Sequence, residues 1–586
     1  MRGAKLLLAA GVLALAAVAH GQLGWAPLTP YVPAESFDTL LKTSSYDERF
    51  KQTSLLAELG SSFDGIKFLV TQGAGLIPSL ASFASALPGN LTVEPGLSKL
   101  ALATQAYLAL YGGVVNAQYP VFSDSAPINT FKHAAANLVI VNGVPLGNGV
   151  SLYSTAIFSL VNGPLLLTLP PYSGGYWLIP FYDAFGEVFH VLGSRQGDTG
   201  GRWLLVTHDW EAPEGYEVPE DVKLIRSPTL EGIALGRTSY NGTGAAAWTL
   251  SWTLERWGPN PRGADTPDVQ FPRGAGLAYP GTDKATLQAV SSGDPWAFWK
   301  VAGEVFRRNG GPSVPTPLVK ELAKIGLYKD FGFVSYGLDV NTTDALAIAP
   351  ILATRIAVAK YTFLGTPATN YWKLPVYNGA WGNDYVLAAA IMKGFWISNR
   401  LDDAAYYYNY LDAAGQPLSG SNVYELLLPR APPATSGAFW SVQALDIDRW
   451  TLLYGPYPLN TALSSPVAGL YVRPDGSIPI RVQVAAPPAN TTAAERGWNW
   501  VPGYPGHFHL ILRIYAGDAT VLSDTYIPPP ITKLAAASNS TASGPSPSPA
   551  PAPSPSPAST GSSSPGAGSN PAQQSPAAVG RRHRHA

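Results

Sequence analysis

Between Val150 and Arg195 the chain reads VSLYSTAIFSLVNGPLLLTLPPYSGGYWLIPFYDAFGEVFHVLGSR, and its hydrophobic period here is two. The runs are cut by Asn162-Gly163-Pro164, Pro170-Pro171 and Gly174-Gly175, so they specify short strands with tight turns rather than helices. The pattern continues through RWLLVTHDW and AAAWTLSWTLERW. It returns after residue 400 in AYYYNYLDAAGQPLSGSNVYELLLPR, GAFWSVQALDI, SIPIRVQVAAP and HFHLILRIYAG. Alternation of this kind, with Gly and Pro at the turns, predicts antiparallel sandwiches. Helical spacing occupies the intervening text, in TLQAVSSGDPWAFWKVAGEVFRRNG, TPLVKELAKIGLY and YVLAAAIMKGFW. It also precedes the first block, where GLSKLALATQAYLALYGGVV predicts an amphipathic helix ending at Gly112-Gly113. The expected fold class is therefore mainly β with helical additions (α+β). Both β blocks open a strand on an aromatic pair, Tyr176-Trp177 and Phe439-Trp440, and end it near an aspartate, Asp183 and Asp446. Either distant duplication or shared strand grammar explains that.

The two ends place the protein. Arg2 and Lys5 precede an apolar run from Leu6 to Val18, and Ala19-His20-Gly21 supplies the small residues of a signal-peptidase site. Residues 1–21 are read as a signal peptide, which makes the chain secreted, extracellular or bound in a cell wall. From Ala542 the text becomes ASGPSPSPAPAPSPSPAST, with no aromatic residue before the terminal RRHRHA. Such a tract buries too little apolar surface to offset its ordering entropy and is expected to stay extended. The expected division is a signal peptide over 1–21, a helical region over 22–96 and a first sandwich over 97–260. A helical spacer over 261–400, a second sandwich over 401–530 and a disordered tail over 531–586 complete it. No membrane span is expected after the signal, since ALAIAPILATRIAVAKYTFL carries Arg355 and Lys360 and contains Pro350.

Composition removes whole classes of function. There is no cysteine, which excludes disulfides, thiolate metal sites and a cysteine nucleophile. Charged residues make up 13% and the net charge is −1, so no basic field exists to hold nucleic acid. No cofactor is called for by any motif. Asn90, Asn241, Asn341, Asn490 and Asn539 head N-glycosylation sequons, each read as an exposed loop of a glycoprotein.

The quoted segments resemble two known families. The first block, through NGVSLYSTAIFSLV and the Gly193-Ser194-Arg195 turn, is similar to the domain of unknown function 1254. The second resembles its companion, the domain of unknown function 1214, through GAFWSVQALD, RPDGSIPIRV and NWVPGYPGHFHLILRIY. The resemblance implies two jelly-roll-like antiparallel β-sandwiches joined by a helical spacer, and no settled activity. It carries over Asn148, Tyr153, Ser154, Arg195, Asp384, Tyr385, Asn499, Trp500 and Arg513, whereas Val150 stands where the family has an acid. The Ser-Pro tail resembles hydroxyproline-rich wall glycoproteins, which implies prolyl hydroxylation and O-glycosylation. A plain linker is the other reading.

Three chemistries compete for the site. In the leading one, Trp498, Trp500 and Tyr504 stack on sugar faces in a Gly/Pro loop while Tyr153, Asn499 and Arg513 fix polar groups, making carbohydrate or another wall component the partner. The same rings could instead be ordinary core. A secreted polysaccharide hydrolase needs two carboxylates, for which Asp183, Glu187, Asp446 and Asp448 are the candidates. A metal-dependent enzyme would use His507 and His509, two apart on one strand face, with His133, His190 and His208 as more distant possibilities. Arg513 on that face repels a dication, so the histidine pair is read first as a packed strand. Oligomeric state has no signature in the sequence.

Overall fold

The computed structural model describes residues 95–536 except 123–126, 134–147, 149–150, 240–243, 260, 262–267, 270–282, 311–315, 363–365, 369, 436, 447–461 and 465–468. The signal segment, the helical region over 22–94, the tail beyond 536, Asn90, Asn241, Asn539 and Asp448 lie outside the described residues.

The first block is a sandwich. One sheet runs β1 (Lys132–His133), β2 (Ser151–Ser159), β8 (Glu231–Ser239), β4 (Trp177–Asp183), β5 (Val188–Gly193). The other runs β7 (Val222–Ser227), β6 (Gly201–Thr207), β3 (Leu165–Leu169), β9 (Thr253–Arg256). Phe158, Leu167, Trp177, Phe181, Trp203 and Ile225 fill the space between them. The second block repeats the plan. Its larger sheet is β12 (Thr366–Pro367), β13 (Lys373–Leu374), β14 (Ala404–Asn409), β20 (Phe508–Tyr515), β16 (Trp440–Asp446), β17 (Ala462–Ser464). Its smaller sheet is β19 (Asn499–Pro502), β18 (Ile478–Gln483), β15 (Asn422–Leu428), β21 (Ile531–Ala536). Tyr424, Leu426, Trp440, Ile480, Val501 and Leu510 form this second core.

Matched in chain order, β2 to β9 correspond one for one with β14 to β21, and the sheet orders are the same. Each smaller sheet also contains one parallel pair at its edge, β6 with β7 and β18 with β19. Expectation had every pair antiparallel. The segments 208–221 and 484–498 are long enough to cross back, and a parallel neighbour needs such a crossover. An edge pair with the same unusual direction in both blocks is a shared topology, which strand grammar alone does not produce.

The helices form the third part. α1 (Pro95–Phe122), α3 (Lys284–Ser291), α4 (Pro295–Asn309), α5 (Thr316–Glu321), α6 (Val340–Thr362) and α7 (Tyr385–Gly394) share one core with the outer faces of the two larger sheets. Those sheets are therefore covered on both faces, and β8, β14 and β20 are buried along their whole length. Among the described residues no helix is long and apolar enough to cross a membrane.

Several boundaries differ from expectation. α1 continues through Gly112-Gly113 and lies in the helical layer, packed on the spacer helices and on the outer face of the first sandwich, so that sandwich begins after it. α6 runs through Pro350 without ending. Residues 245–250 are a short helix, α2 (Ala245–Leu250), not a strand, because Trp248 docks flat on Tyr172 and donates to Pro170 O at 2.8 Å. The second sandwich extends past residue 530, since β21 pairs with β15 and completes the smaller sheet.

Candidate functional site

The topology brings two equivalent strands face to face across the shared core. In β8, Arg237 lies opposite Tyr153 of β2. In β20, Arg513 lies opposite Tyr406 of β14. These are corresponding positions of the two blocks, and both tyrosine–arginine pairs are buried in one polar layer. Asn399, just before β14, links them: its Oδ1 accepts from Arg237 Nη1 at 2.7 Å and its Nδ2 donates to Tyr406 Oη at 2.8 Å. Tyr182 Oη donates to the same Oδ1 at 3.3 Å. Asn148 spans the blocks as well, with its amide N–H donating to Tyr153 Oη at 2.7 Å and its Nδ2 to Tyr515 Oη at 3.1 Å. Tyr515 stacks on Phe439 at 4.3 Å, and Arg513 Nη1 donates to Gln443 Oε1 at 2.9 Å. Of the residues expected to bind ligand, Tyr153 and Arg513 are thus brought together, but inside the molecule. Arg195 lies nearby on the surface turn after β5, where its guanidinium holds Asp403 and Asp402.

The aromatic loop before β20 is different from its expected form. Asn499 is buried and clamps backbone, accepting from Tyr471 N at 2.8 Å and donating to Tyr471 O at 2.8 Å and Pro479 O at 3.1 Å. Trp500 donates its indole N–H to Gln483 O at 3.0 Å, and Tyr504 packs on the second core. Trp498 is half-buried with the guanidiniums of Arg481 and Arg496 over its ring, at 4.8 and 5.0 Å from the centroid. Asn499, Trp500 and Trp498 hold the parallel β18–β19 edge together.

The histidines do not assemble. His507 is exposed ahead of β20, while His509 is buried beside the Tyr410 ring, with centroids 4.8 Å apart. Burial, reinforced by Arg513, pushes the His509 imidazole down to about 3. His133 belongs to β1, where its Nδ1 hydrogen-bonds Ser154 Oγ at 2.8 Å on the neighbouring strand, and burial lowers it to about 4. His190 is half-buried on β5, and His208 is exposed. Among the described residues no three His, Asp or Glu side chains are grouped to hold a metal. The imidazole of His509 is expected to stay neutral from about pH 5 to about pH 8. A midpoint near 6.5 for its ring protons in an NMR titration would contradict this placement.

The carboxylates serve local structure. Asp183 Oδ1 accepts from Phe185 N at 2.9 Å and Glu187 N at 3.0 Å, tying down the β4–β5 turn, and burial pushes its carboxyl up to about 7. Glu187 accepts from Gly382 N at 2.8 Å. Asp384 caps α7 by accepting from Leu387 N at 2.9 Å, with Tyr385 buried behind it. The Asp446 backbone pairs with Phe508; its side chain lies outside the described residues.

An exposed aromatic surface lies elsewhere. β10 (Leu327–Tyr328) and β11 (Gly332–Phe333) form a hairpin whose turn carries Phe331, 74% exposed. Tyr336, three residues past the hairpin, is 95% exposed, and Tyr328, Val334, Val340 and Trp296 extend the surface. The hairpin is held close against α4, because a Cβ on Gly303 would sit 2.3 Å from Phe333 N. Phe333 stacks on Trp296 at 6.3 Å and Tyr328 meets Phe331 edge-on at 6.4 Å, so the rings share one ordered support. Helical spacing in TPLVKELAKIGLY continues up to Tyr328, so the sequence places this segment in the helical spacer and does not show the hairpin. The visible signal was Gly326 and Gly332 flanking aromatic residues with Lys329 and Asp330 between them.

Two family models match, each described as a protein of unknown function: DUF1254 over residues 128–249 and DUF1214 over residues 403–519. They coincide with the first and second sandwiches. No curated protein matches the chain. The crystal structure of the VPA0106 protein from Vibrio parahaemolyticus is similar at 19% identity and a TM-score of 0.52, covering 74% of this chain and 100% of that one. An uncharacterized protein from Burkholderia cenocepacia is 12% identical with a TM-score of 0.37, over 83% of this chain and 99% of that one. The Vibrio likeness shows a shared fold.

Proposed function

For a chain that carries the DUF1254 and DUF1214 domains in tandem, we propose export to a cell wall and the binding of a carbohydrate polymer there, through the aromatic surface of residues 328–336. The observation that carries this reading is the exposure of Phe331 and Tyr336 on a braced hairpin. Holding large rings in water costs free energy that a covering partner recovers, and the apolar face of a sugar ring is a flat, hydroxyl-edged partner for an aromatic face. Lys329 and Asp330 at the turn supply hydrogen bonds to hydroxyls alongside the rings. Export rests on the apolar leader and the Ser-Pro tail, and glycosylation on exposed Asn341 and Asn490. Asp183 and Glu187, engaged with backbone amides, give less support to hydrolysis.

In the test, full-length protein is depleted from solution by a suspension of insoluble wall polysaccharide, and the same is done with the Phe331→Ala, Tyr336→Ala double variant. Retention is expected to fall at least about tenfold, the equivalent of about 1.4 kcal/mol. The melting temperature is expected to stay within about 1 °C, because exposed side chains contribute little to stability. Undiminished retention of the variant would overturn the assignment. Concentration-dependent sedimentation that disappears in the variant would make the hairpin an interface between copies of the chain instead.

A further inference from the structure

The polar layer between the two sandwiches holds a buried guanidinium with no carboxylate partner among the described residues, and we propose that it is a binding site for a small organic carboxylate. Arg237 is 6% exposed. A guanidinium keeps its charge under all conditions a protein meets, so its burial calls for an anion. Among the described residues no carboxylate pairs with it. Its hydrogen bonds, to Asn399 Oδ1 at 2.7 Å and Tyr182 Oη at 3.5 Å, both leave from Nη1. The Nε–Nη2 edge makes none to a described residue, and this is an edge that a carboxylate meets with two parallel hydrogen bonds. Asp403, on the neighbouring turn, takes Arg195 and Gln196 on its Oδ1, while its Oδ2 has no partner among the described residues.

The surrounding hydroxyls point to the same ligand. Tyr153 Oη, Tyr406 Oη and Tyr515 Oη each accept a hydrogen bond from Asn148 or Asn399. Each phenol therefore has its own O–H left to donate, and none of the three donates to a described residue. Ser441 Oγ, directly across the ladder from Arg513 on the side away from Tyr406, has no partner among the described residues. One fork edge and three phenol protons in a buried layer require an acceptor-rich partner, which a cation, a metal ion or a neutral apolar molecule is not. The ring of Tyr153, with the Arg237 guanidinium 5.7 Å from its centroid, supplies a flat wall for the body of such a molecule. This site is separate from the aromatic hairpin, and neither reading depends on the other.

The test uses the whole exported protein in a chloride buffer free of carboxylates, melted with acetate, galacturonate or citrate, and with inorganic phosphate and galactose at matched ionic strength. At least one of the three carboxylates is expected to raise the melting temperature saturably, with galactose inert. Arg237→Gln should abolish that shift. Tyr153→Phe, which removes one donor and keeps the ring, should weaken apparent affinity about tenfold, and it decides the matter if the arginine variant fails to fold. Absence of a saturable shift with all three carboxylates would overturn the proposal, as would a shift that survives in both variants. An equal shift with inorganic phosphate would replace a carboxylate site by a general anion site.

Discussion

Arg195→Met lowers the stability of the folded chain by about 3 kcal/mol near neutral pH and by less near about pH 5. The Asp403 carboxylate is 1% exposed and receives Arg195 Nε at 2.8 Å, Arg195 Nη2 at 2.8 Å and Gln196 Nε2 at 3.1 Å. Arg195 stands on the turn after β5 of the first sandwich, and Asp403 opens the second, so the pair fastens one block to the other. Removing one partner of a buried pair leaves an uncompensated charge, which costs about 3–5 kcal/mol; Arg195 is one-third exposed, which places this pair at the low end. The two partners report differently on the pair. Arg195 is shifted up, as an ion-paired cation should be, whereas burial still holds Asp403 above its usual carboxylate range despite the guanidinium. The burial effect decides the pH dependence. Without Arg195 the folded-state value of Asp403 rises further above the unfolded one, so stability is retained at low pH and lost as pH rises through the folded value. Urea unfolding of both proteins at about pH 5 and about pH 7.5 measures this. A deficit that is constant with pH would show that the lost packing, not the charge of Asp403, accounts for the change.

What was legible in the sequence was whatever a single strand or helix carries within itself. The alternation of β2, β4, β14 and β20 gave the strands, and the aromatic pairs at 176–177 and 439–440 did mark equivalent strands. The polar layer was half visible: Tyr153 and Arg513 were named, while Arg237 and Tyr406 were not. Their equivalence depends on cross-strand register, which pairs Arg237 with Tyr153 and Arg513 with Tyr406 over long stretches of chain. Once Trp177 is matched to Trp440, the ladder carries that match from β4 to β8 and from β16 to β20. At Asn499 and Trp498 the sequence leaves two readings open. A Trp-Asn-Trp loop in Gly/Pro text looks like a binding platform, but an asparagine that satisfies three backbone groups, one of them Pro479 O on β18, serves equally well to lock a parallel edge. The period-two rule also assumes that one face of a sheet meets water. Here helices cover that face, so polar residues such as Arg513 and His509 mark an internal layer rather than a surface.

Gly112→Ala combined with Gly113→Ala destabilises the chain: overpacking at two sites costs about 2–6 kcal/mol, twice the usual range for one, and outweighs the gain in helix propensity. Helix propensity alone argues the reverse. Each glycine inside a helix is worth about 1 kcal/mol less than alanine, so the double exchange should gain about 2 kcal/mol. The close approach of the β4–β5 turn decides the sign. A Cβ at residue 112 would lie 2.2 Å from Phe185 O, and one at residue 113 would lie 2.4 Å from Val305 Cγ1. The turn has little room to retreat, because Asp183 Oδ1 holds the amides of Phe185 and Glu187 while Asn116 Nδ2 donates to Ala184 O at 2.9 Å. Val305 can turn its side chain; a backbone carbonyl cannot, so Gly112→Ala should account for the larger share. The same contact explains why α1 does not stop where two glycines suggest that it should: they are there for the carbonyl they admit, and the helix runs on to Phe122. Urea unfolding of the two single variants and the double variant measures both sign and division. A stabilised double variant would mean that the turn yields, and that the glycines at this crossing are replaceable.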